Sequence, residues 1–206
     1  MSPRGSKPAP RPRRTPAKKA ASGKGALRVV AGSARGLRLD VPMGSATRPT
    51  ADRVRQATFN ALESLGAVAE ARVLDAYAGS GALGIEALSR GASHATFTDV
   101  DAAARTAVTA NLAVTGFAAQ AQVVPGDGAR AVAFGGPWDL VLLDPPYEFD
   151  GWPALLDDVA AHLAADGIVV VESDREVALP PSLHGIRTRQ YGGTVVAFAS
   201  PAGAPL

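Results

Sequence analysis

From residue 71 onward, short apolar runs alternate with alanine-rich or amphipathic stretches, and this rhythm restricts the fold more than any other feature of the chain. The pattern predicts strands at 72–76, 95–99, 121–125, 138–143 and 167–172. Helices are expected between them, near 81–90, 101–115, 127–133 and 152–164. Strands that alternate with helices pair in parallel through right-handed crossovers. The rhythm breaks at the end: "IRTRQYGGTVVAFAS", 186–200, reads as two strands joined at Gly192-Gly193. The expected class is therefore α/β, a Rossmann-like, doubly wound and mostly parallel sheet with an antiparallel hairpin at its C-terminal end. At 206 residues and 47% hydrophobic content, the chain can bury one sizeable core and carry appendages.

Two appendages precede the alternating region. "LRVVAGSARGLRLDVP", 27–42, places β-rich runs on either side of Gly-Ser-Ala-Arg-Gly and reads as a hairpin. "RPTADRVRQATFNALESLG", 48–66, reads as a helix, with Thr50 at the N-cap, Asp52 in the first turn and Gly66 just beyond the end. Its apolar face is expected to hold Val54, Ala57, Ala61, Leu62 and Leu65. These boundaries divide the chain into a tail over 1–26, a hairpin-and-helix extension over 27–66 and a main domain over 67–206. The net charge of +2 hides a strong asymmetry. Residues 1–24 hold eight Lys or Arg and no acid, leaving 13 basic against 19 acidic residues elsewhere, a net of −6. Rich in Pro, Ala and Gly, this segment is expected to be disordered. It serves either as a solvated extension or as an arm for nucleic-acid phosphates.

"RVLDAYAGSGALGIEAL", 72–88, is a strand, a glycine-rich turn and a helix. Gly79, Gly81 and Gly84 spell G-x-G-x-x-G, and Asp99 lies 20 residues beyond Gly79. The glycines permit a tight turn and close approach to a ligand, and Asp99 can accept hydrogen bonds from ribose hydroxyls. Both NAD and S-adenosylmethionine fit that description. Asp75, four residues before Gly79, is expected to point its carboxylate into the cleft. There it would repel a pyrophosphate and favour an ammonium or sulfonium. Asp127 adds an acceptor where an adenine amine can lie, and nothing is arranged for hydride transfer. The residues favour S-adenosylmethionine.

The strand at 138–143 runs straight into Asp144-Pro145-Pro146-Tyr147. Prolines have no N–H, so the ladder cannot continue through them. A carboxylate, bare carbonyls and a ring are thereby fixed at a strand's C-terminal end, where open α/β sheets bind ligands. The Asp144 carboxylate and Pro145 carbonyl can accept both N–H bonds of an exocyclic amine, aiming its lone pair at a methyl donor. Tyr147 can stack on the base. An ordinary rigid turn is the plainer reading of the same four residues.

Several classes are set aside by composition. There is no cysteine, and His94, His162 and His184 have no metal-ligand spacing, so no metal is expected. No apolar run reaches the 18 or more residues of a membrane span, and a cytoplasmic location is the default. Three alternatives stay open: a DNA adenine-N6 methyltransferase, an NAD-dependent oxidoreductase and a non-catalytic RNA-binding protein.

Over residues 27–200 the sequence resembles the RsmD family, which methylates a guanine N2 in 16S ribosomal RNA. The matching blocks are "RVVAGSARGLRL", "RPTADRVRQATFNAL", "VLDAYAGSGALGIEALSRGA" and "LLDPPY". The resemblance implies a class I S-adenosylmethionine-dependent methyltransferase acting on small-subunit ribosomal RNA, within the subunit or an assembly intermediate. It implies cofactor contacts at Asp75, Tyr77, Gly79, Ser80, Gly81, Asp99, Val100, Asp127 and Gly128. The clamp falls to Asp144, Pro145 and Tyr147, and RNA contacts to Arg48, Thr50, Arg35 and Arg53. Read without the family, Arg48 and Thr50 are a helix start, and Arg35, Arg38, Arg53 and Arg55 are solvated charges. The chain departs from the family in having Gln56 for the usual Glu, Tyr77 for a frequent Phe and Asp99 for the commoner Glu.

Overall fold

The computed structural model describes residues 27–42 and 49–204, so the basic segment 1–26 and Arg48 lie outside the described residues. The elements run α1 (Pro49–Ser64), β1 (Arg72–Asp75), α2 (Ala82–Ser89), β2 (His94–Asp99), α3 (Ala102–Thr115) and β3 (Ala121–Pro125). They continue with α4 (Gly128–Gly135), β4 (Trp138–Leu143), α5 (Trp152–His162), β5 (Leu163–Ser173), β6 (Leu183–Tyr191) and β7 (Thr194–Pro201). The seven strands form one sheet in the order β3-β2-β1-β4-β5-β7-β6. β1 to β5 pair in parallel, and the β6–β7 hairpin joins antiparallel at the side of β5, as the glycine pair at 192–193 suggested.

Strand alternation creates two cores. Val73, Leu140, Leu142, Ile168 and Val170 bury into one face of the sheet. Their neighbours Leu74, Val141, Leu143, Val169 and Val171 bury into the other. Period-two side chains that are apolar on both sides require cover on both sides. α5 covers the second face through Leu155, Leu156 and Val159. α2 and α3 cover the first, which also receives Leu27, Val29, Leu39, Phe59 and Leu62 from the N-terminal extension.

That extension is fastened by a buried acid. Glu86 of α2 is wholly buried, and its oxygens accept the Val30 and Ala31 N–H groups at 2.7 and 2.9 Å. Arg90 Nε lies 2.8 Å from Glu86 and Arg55 Nε 3.6 Å away. Arg55 also donates to the Arg28 carbonyl at 2.6 Å and to Asp52 at 2.9 Å. Arg55 is therefore buried, not solvated, because α1 turns it towards the buried acid it helps to neutralise.

Other expectations shift in detail. The hairpin at 27–42 reduces to a single bridge between Arg28 and Arg38, flanked by Leu39 N–H to Leu27 O at 2.9 Å. α1 begins at Pro49, so Thr50 sits inside the first turn and is not the N-cap. Leu65 lies beyond the end of α1 and is 40% exposed, while Phe59 takes the buried place. β5 starts at Leu163, four residues earlier than the pattern predicts, because Leu163 pairs with Trp138. Cross-strand pairing there overrides the helix preference of the alanines that come next.

Candidate active site

β1 and β4 are neighbours, but the chain leaves them in opposite directions, towards β2 and β3 from one and towards β5 from the other. Such a switch point opens a crevice at the strands' C-terminal ends. Here it is a cavity of about 750 Å³. One wall holds Tyr77, Gly79, Asp99, Val100, Asp127 and Gly128. The other holds Asp144, Pro145, Pro146, Tyr147, Phe149 and Glu172.

The first wall is set by the glycine turn. Gly79 and Gly81 have φ of +53° and +77°, conformations that side chains rarely adopt. Gly84 is needed for packing instead: a Cβ there would lie 2.3 Å from the Phe97 ring on β2. The Asp99 carboxylate accepts the Gly79 N–H at 2.9 Å and the Asp101 N–H at 2.9 Å. Those bonds fix its orientation and leave lone pairs for a ligand's hydroxyls. Asp127 N-caps α4 by accepting the Ala129 N–H at 3.1 Å, and Gly128 comes directly after it. A Cβ on Gly128 would lie 2.4 Å from the Ala76 carbonyl, so this wall tolerates no side chain there. Val100 presents 74% exposed apolar surface beside Asp99.

Ser80 and Gly81 do not line the cavity; they shape the turn behind it. The Ser80 carbonyl accepts from Asn111 Nδ2 at 2.8 Å, and the same amide holds Asp40 of the extension. Asp75 is a correction to the sequence reading. Its carboxylate is 2% exposed, accepts the Gly84 N–H at 2.8 Å and does not line the cavity. Burial pushes it up to about 7, opposed by the Gly84 hydrogen bond and reinforced by Asp144 and Asp99. The electrostatic choice of cofactor cannot rest on it.

The choice rests on the whole lining. Asp99, Asp127, Asp144 and Glu172 face the cavity, and among the described residues no Lys, Arg or His does. A set of acceptors without a cation repels a pyrophosphate and suits a cationic ligand.

The second wall is stiff. Pro145 is buried, and the chain after it turns back through the Phe149 N–H to the Pro146 carbonyl at 2.9 Å. Arg175 then ties the loop down, donating to the carbonyls of Tyr147 at 3.0 Å and Phe149 at 2.8 Å. Phe149 packs edge-on against Tyr77 at 5.8 Å and Trp152 at 5.1 Å, joining the two walls through a chain of rings. Tyr147 is 37% exposed at the cavity. Asp144 is exposed where it faces the cavity, yet the surrounding protein raises its pKa to about 6. Glu172 is pushed up to about 8, first by burial, then by Asp144, with the Arg55 guanidinium pulling the other way. Tyr77 rises to about 12 through burial and Asp127, so its buried hydroxyl stays neutral.

Arg35 and Arg53 come together elsewhere, around a shallow notch of about 280 Å³ with Arg28, Asp52 and Gln56. Sequence reading missed Glu172, Phe149 and Arg175. A signal existed for Glu172: like Asp144, it is an acid ending an apolar run, "VVVES". Among the described residues no group of acids and histidines is arranged to hold a metal ion, and no helix is long and apolar enough to cross a membrane.

A family model described as Conserved hypothetical protein 95 matches residues 27–200. Ribosomal RNA small subunit methyltransferase D of Escherichia coli strain K12 is 40% identical over 180 residues, covering 84% of this chain and 89% of that protein. The chain belongs to the RsmD family of ribosomal RNA methyltransferases. The solved structure of Escherichia coli yhhF is 34% identical with a TM-score of 0.75, covering 86% of this chain and 98% of that one. The structure of SMU.776 complexed with SAH shares the fold at 14% identity and a TM-score of 0.60, covering 72% of this chain and 48% of that one. Membership of this methyltransferase family makes S-adenosylmethionine the cofactor of the site, in keeping with its lining of acceptors.

Proposed function

We propose that the protein transfers a methyl group from S-adenosylmethionine to the exocyclic N2 amine of a guanine in small-subunit ribosomal RNA. The observation that carries this reading is the pairing of walls in one cavity: acceptors suited to a cationic cofactor on one side, and Asp144 with the proline-stiffened Pro145 on the other. When bound, S-adenosylmethionine supplies an electrophilic methyl on a sulfonium centre. Asp99 would hold ribose hydroxyls, and Val100 and Gly128 would flank the adenine. Asp144 and the Pro145 carbonyl accept the two N–H bonds of the guanine amine and stabilise the positive charge that develops on nitrogen. Methylation of the amine would release one of its protons, which Asp144 is placed to receive. Tyr147 supports the base by stacking.

The cavity lining favours a base over a phosphate, since it contains four carboxylates and, among the described residues, no cation. Phosphate contacts belong instead to the notch of Arg28, Arg35 and Arg53 and to the eight cations of residues 1–24. The substrate is the small subunit or an assembly intermediate of it. Mapping N2-methylated guanines in ribosomal RNA with and without the protein tests the reading. One guanine that gains the mark only with the protein is the expected result. Methyl transfer to adenine N6 of DNA, or to no nucleic acid, would overturn it.

A further inference from the structure

The amine clamp leaves one donor of the target base without a partner. Beside its N2 amine, guanine carries N1–H on the same edge, and a base taken into a site is read along that edge. With N2 held by Asp144 and Pro145, N1–H enters the same cavity, where an unpaired donor is costly. Asp99 already orients two backbone N–H groups, and Asp127 caps α4 on the cofactor wall. Glu172 is different: its carboxylate accepts no hydrogen bond from any described residue, and it lies on the clamp's side of the cavity.

The sheet puts it at the right level. Leu143 on β4 pairs with Val171 on β5 in parallel register, so Asp144 and Glu172 leave adjacent strand ends side by side. Leu142 and Val170, two residues earlier on each strand, bury into the same core. By period-two alternation, Asp144 and Glu172 therefore rise on one face, the face that α1 covers. Charge reaches Glu172 from both sides: Asp144 disfavours its ionised form, and the Arg55 guanidinium favours it. An incoming N–H donor would act in the same sense as Arg55.

We propose that Glu172 is a specificity-determining residue whose carboxylate accepts guanine N1–H while Asp144 and Pro145 hold the N2 amine. This rests on the guanine-N2 reading given above. It predicts rejection of bases that offer an N2 amine but no N1–H.

The test uses the RNA or reconstituted subunit that carries the mapped guanine, prepared with either guanosine or 2,6-diaminopurine riboside at that position. Both present an N2 amine, but N1 of diaminopurine is an acceptor. The full-length enzyme should prefer guanosine by roughly ten- to a hundredfold in kcat/KM, the discrimination expected of a good directional hydrogen-bond pair. In Glu172→Gln the side chain keeps its size and can turn its amide nitrogen towards the acceptor. The preference should fall to near one or reverse, whatever happens to the absolute rate. A merely structural role would lower both rates and leave their ratio alone. An unchanged ratio in Glu172→Gln overturns the proposal, and so does a wild-type ratio near one, which needs no variant to fold. Digestion and mass analysis of the guanosine product separate the two readings. Methyl on N2 with an unmoved ratio removes Glu172 only, whereas methyl on another atom removes the N2 reading itself.

Discussion

Asp75 and Asp144 stand at the C-terminal ends of neighbouring parallel strands, within two residues of the same level, since Asp75 pairs with Leu142. They are the same residue type with opposite fates. After Asp75 the chain turns through glycines into α2, and the Gly84 N–H takes the carboxylate. After Asp144 come two prolines, which have no N–H to offer the acid, and the next helix, α5, does not begin until Trp152. One carboxylate is consumed by the fold, and the other is left open to the cavity. The backbone donors that the next few residues supply therefore decide whether a strand-end acid is structural or chemical. The acid itself decides less.

The sharpest way to break this comparison is to remove each acid in turn. Asp144→Ala should lower kcat by roughly 10²–10³, about 2.7–4 kcal/mol, as for loss of one preorganised transition-state hydrogen bond. Its melting temperature should hold, because no backbone donor among the described residues depends on it. A folded variant methylating at the wild-type rate would end the clamp hypothesis. Asp75→Ala should do the reverse. It strands the buried Gly84 N–H, costing about 1–3 kcal/mol of stability. At roughly 2–4 °C per kcal/mol for a chain of this size, calorimetry should show a fall on the order of 5 °C. If Asp75→Ala instead loses activity as severely as Asp144→Ala and melts normally, the division of labour is wrong.

A smaller effect tests the role of the prolines directly. Replacing Pro145 and Pro146 together with alanine restores two N–H groups next to Asp144. One of them can then claim the carboxylate, as Gly84 claims Asp75, and loosen the clamp. The expected loss is about 1 kcal/mol, or roughly fivefold in kcat, the worth of one competing hydrogen bond. Unchanged single-turnover rates would show that the prolines only end the strand.

The comparison also carries a pH dependence. Asp75 has a folded pKa of about 7 against an ordinary 3.8, so between those values the folded protein holds a proton that the unfolded chain has released. Its contribution to stability is therefore greatest at low pH, falls as pH rises through that window and levels off above it. Asp144, raised to about 6, and Glu172, raised to about 8, act in the same direction. Melting temperature should decline between pH 5 and about pH 8, and Asp75→Asn should flatten part of that decline. A variant with the wild-type slope would mean that another group titrates there.

The strands at 121–125 and 138–143 were legible to the residue, because each is a short run bounded by turn-forming neighbours. The abrupt end of β4 at Asp144-Pro145-Pro146 was legible for a similar reason: prolines write their constraint into the local sequence. Asp75 was placed correctly on its strand and wrongly in the cleft. Which side of a turn receives a carboxylate depends on the Gly84 N–H nine residues later, and no periodicity records that. Glu172 needed the strand order, since it meets Asp144 only because β5 lies beside β4. Arg55 was misread for the same kind of reason, its buried acid Glu86 lying on another helix.

Glu86 has a consequence for how the molecule comes apart. Two of its partners are the N–H groups of Val30 and Ala31, and a third is Arg55 of α1. Peeling residues 27–66 from the sheet would leave a carboxylate stripped of these partners in the apolar surface the extension covered. Breaking a buried charge arrangement of this kind costs about 3–5 kcal/mol, a large fraction of the stability of a typical domain. The extension is thus not a module that can detach and rebind. It should melt with the sheet in one calorimetric transition, and a version of the chain beginning at residue 67 is expected to be an incomplete fold rather than a smaller enzyme.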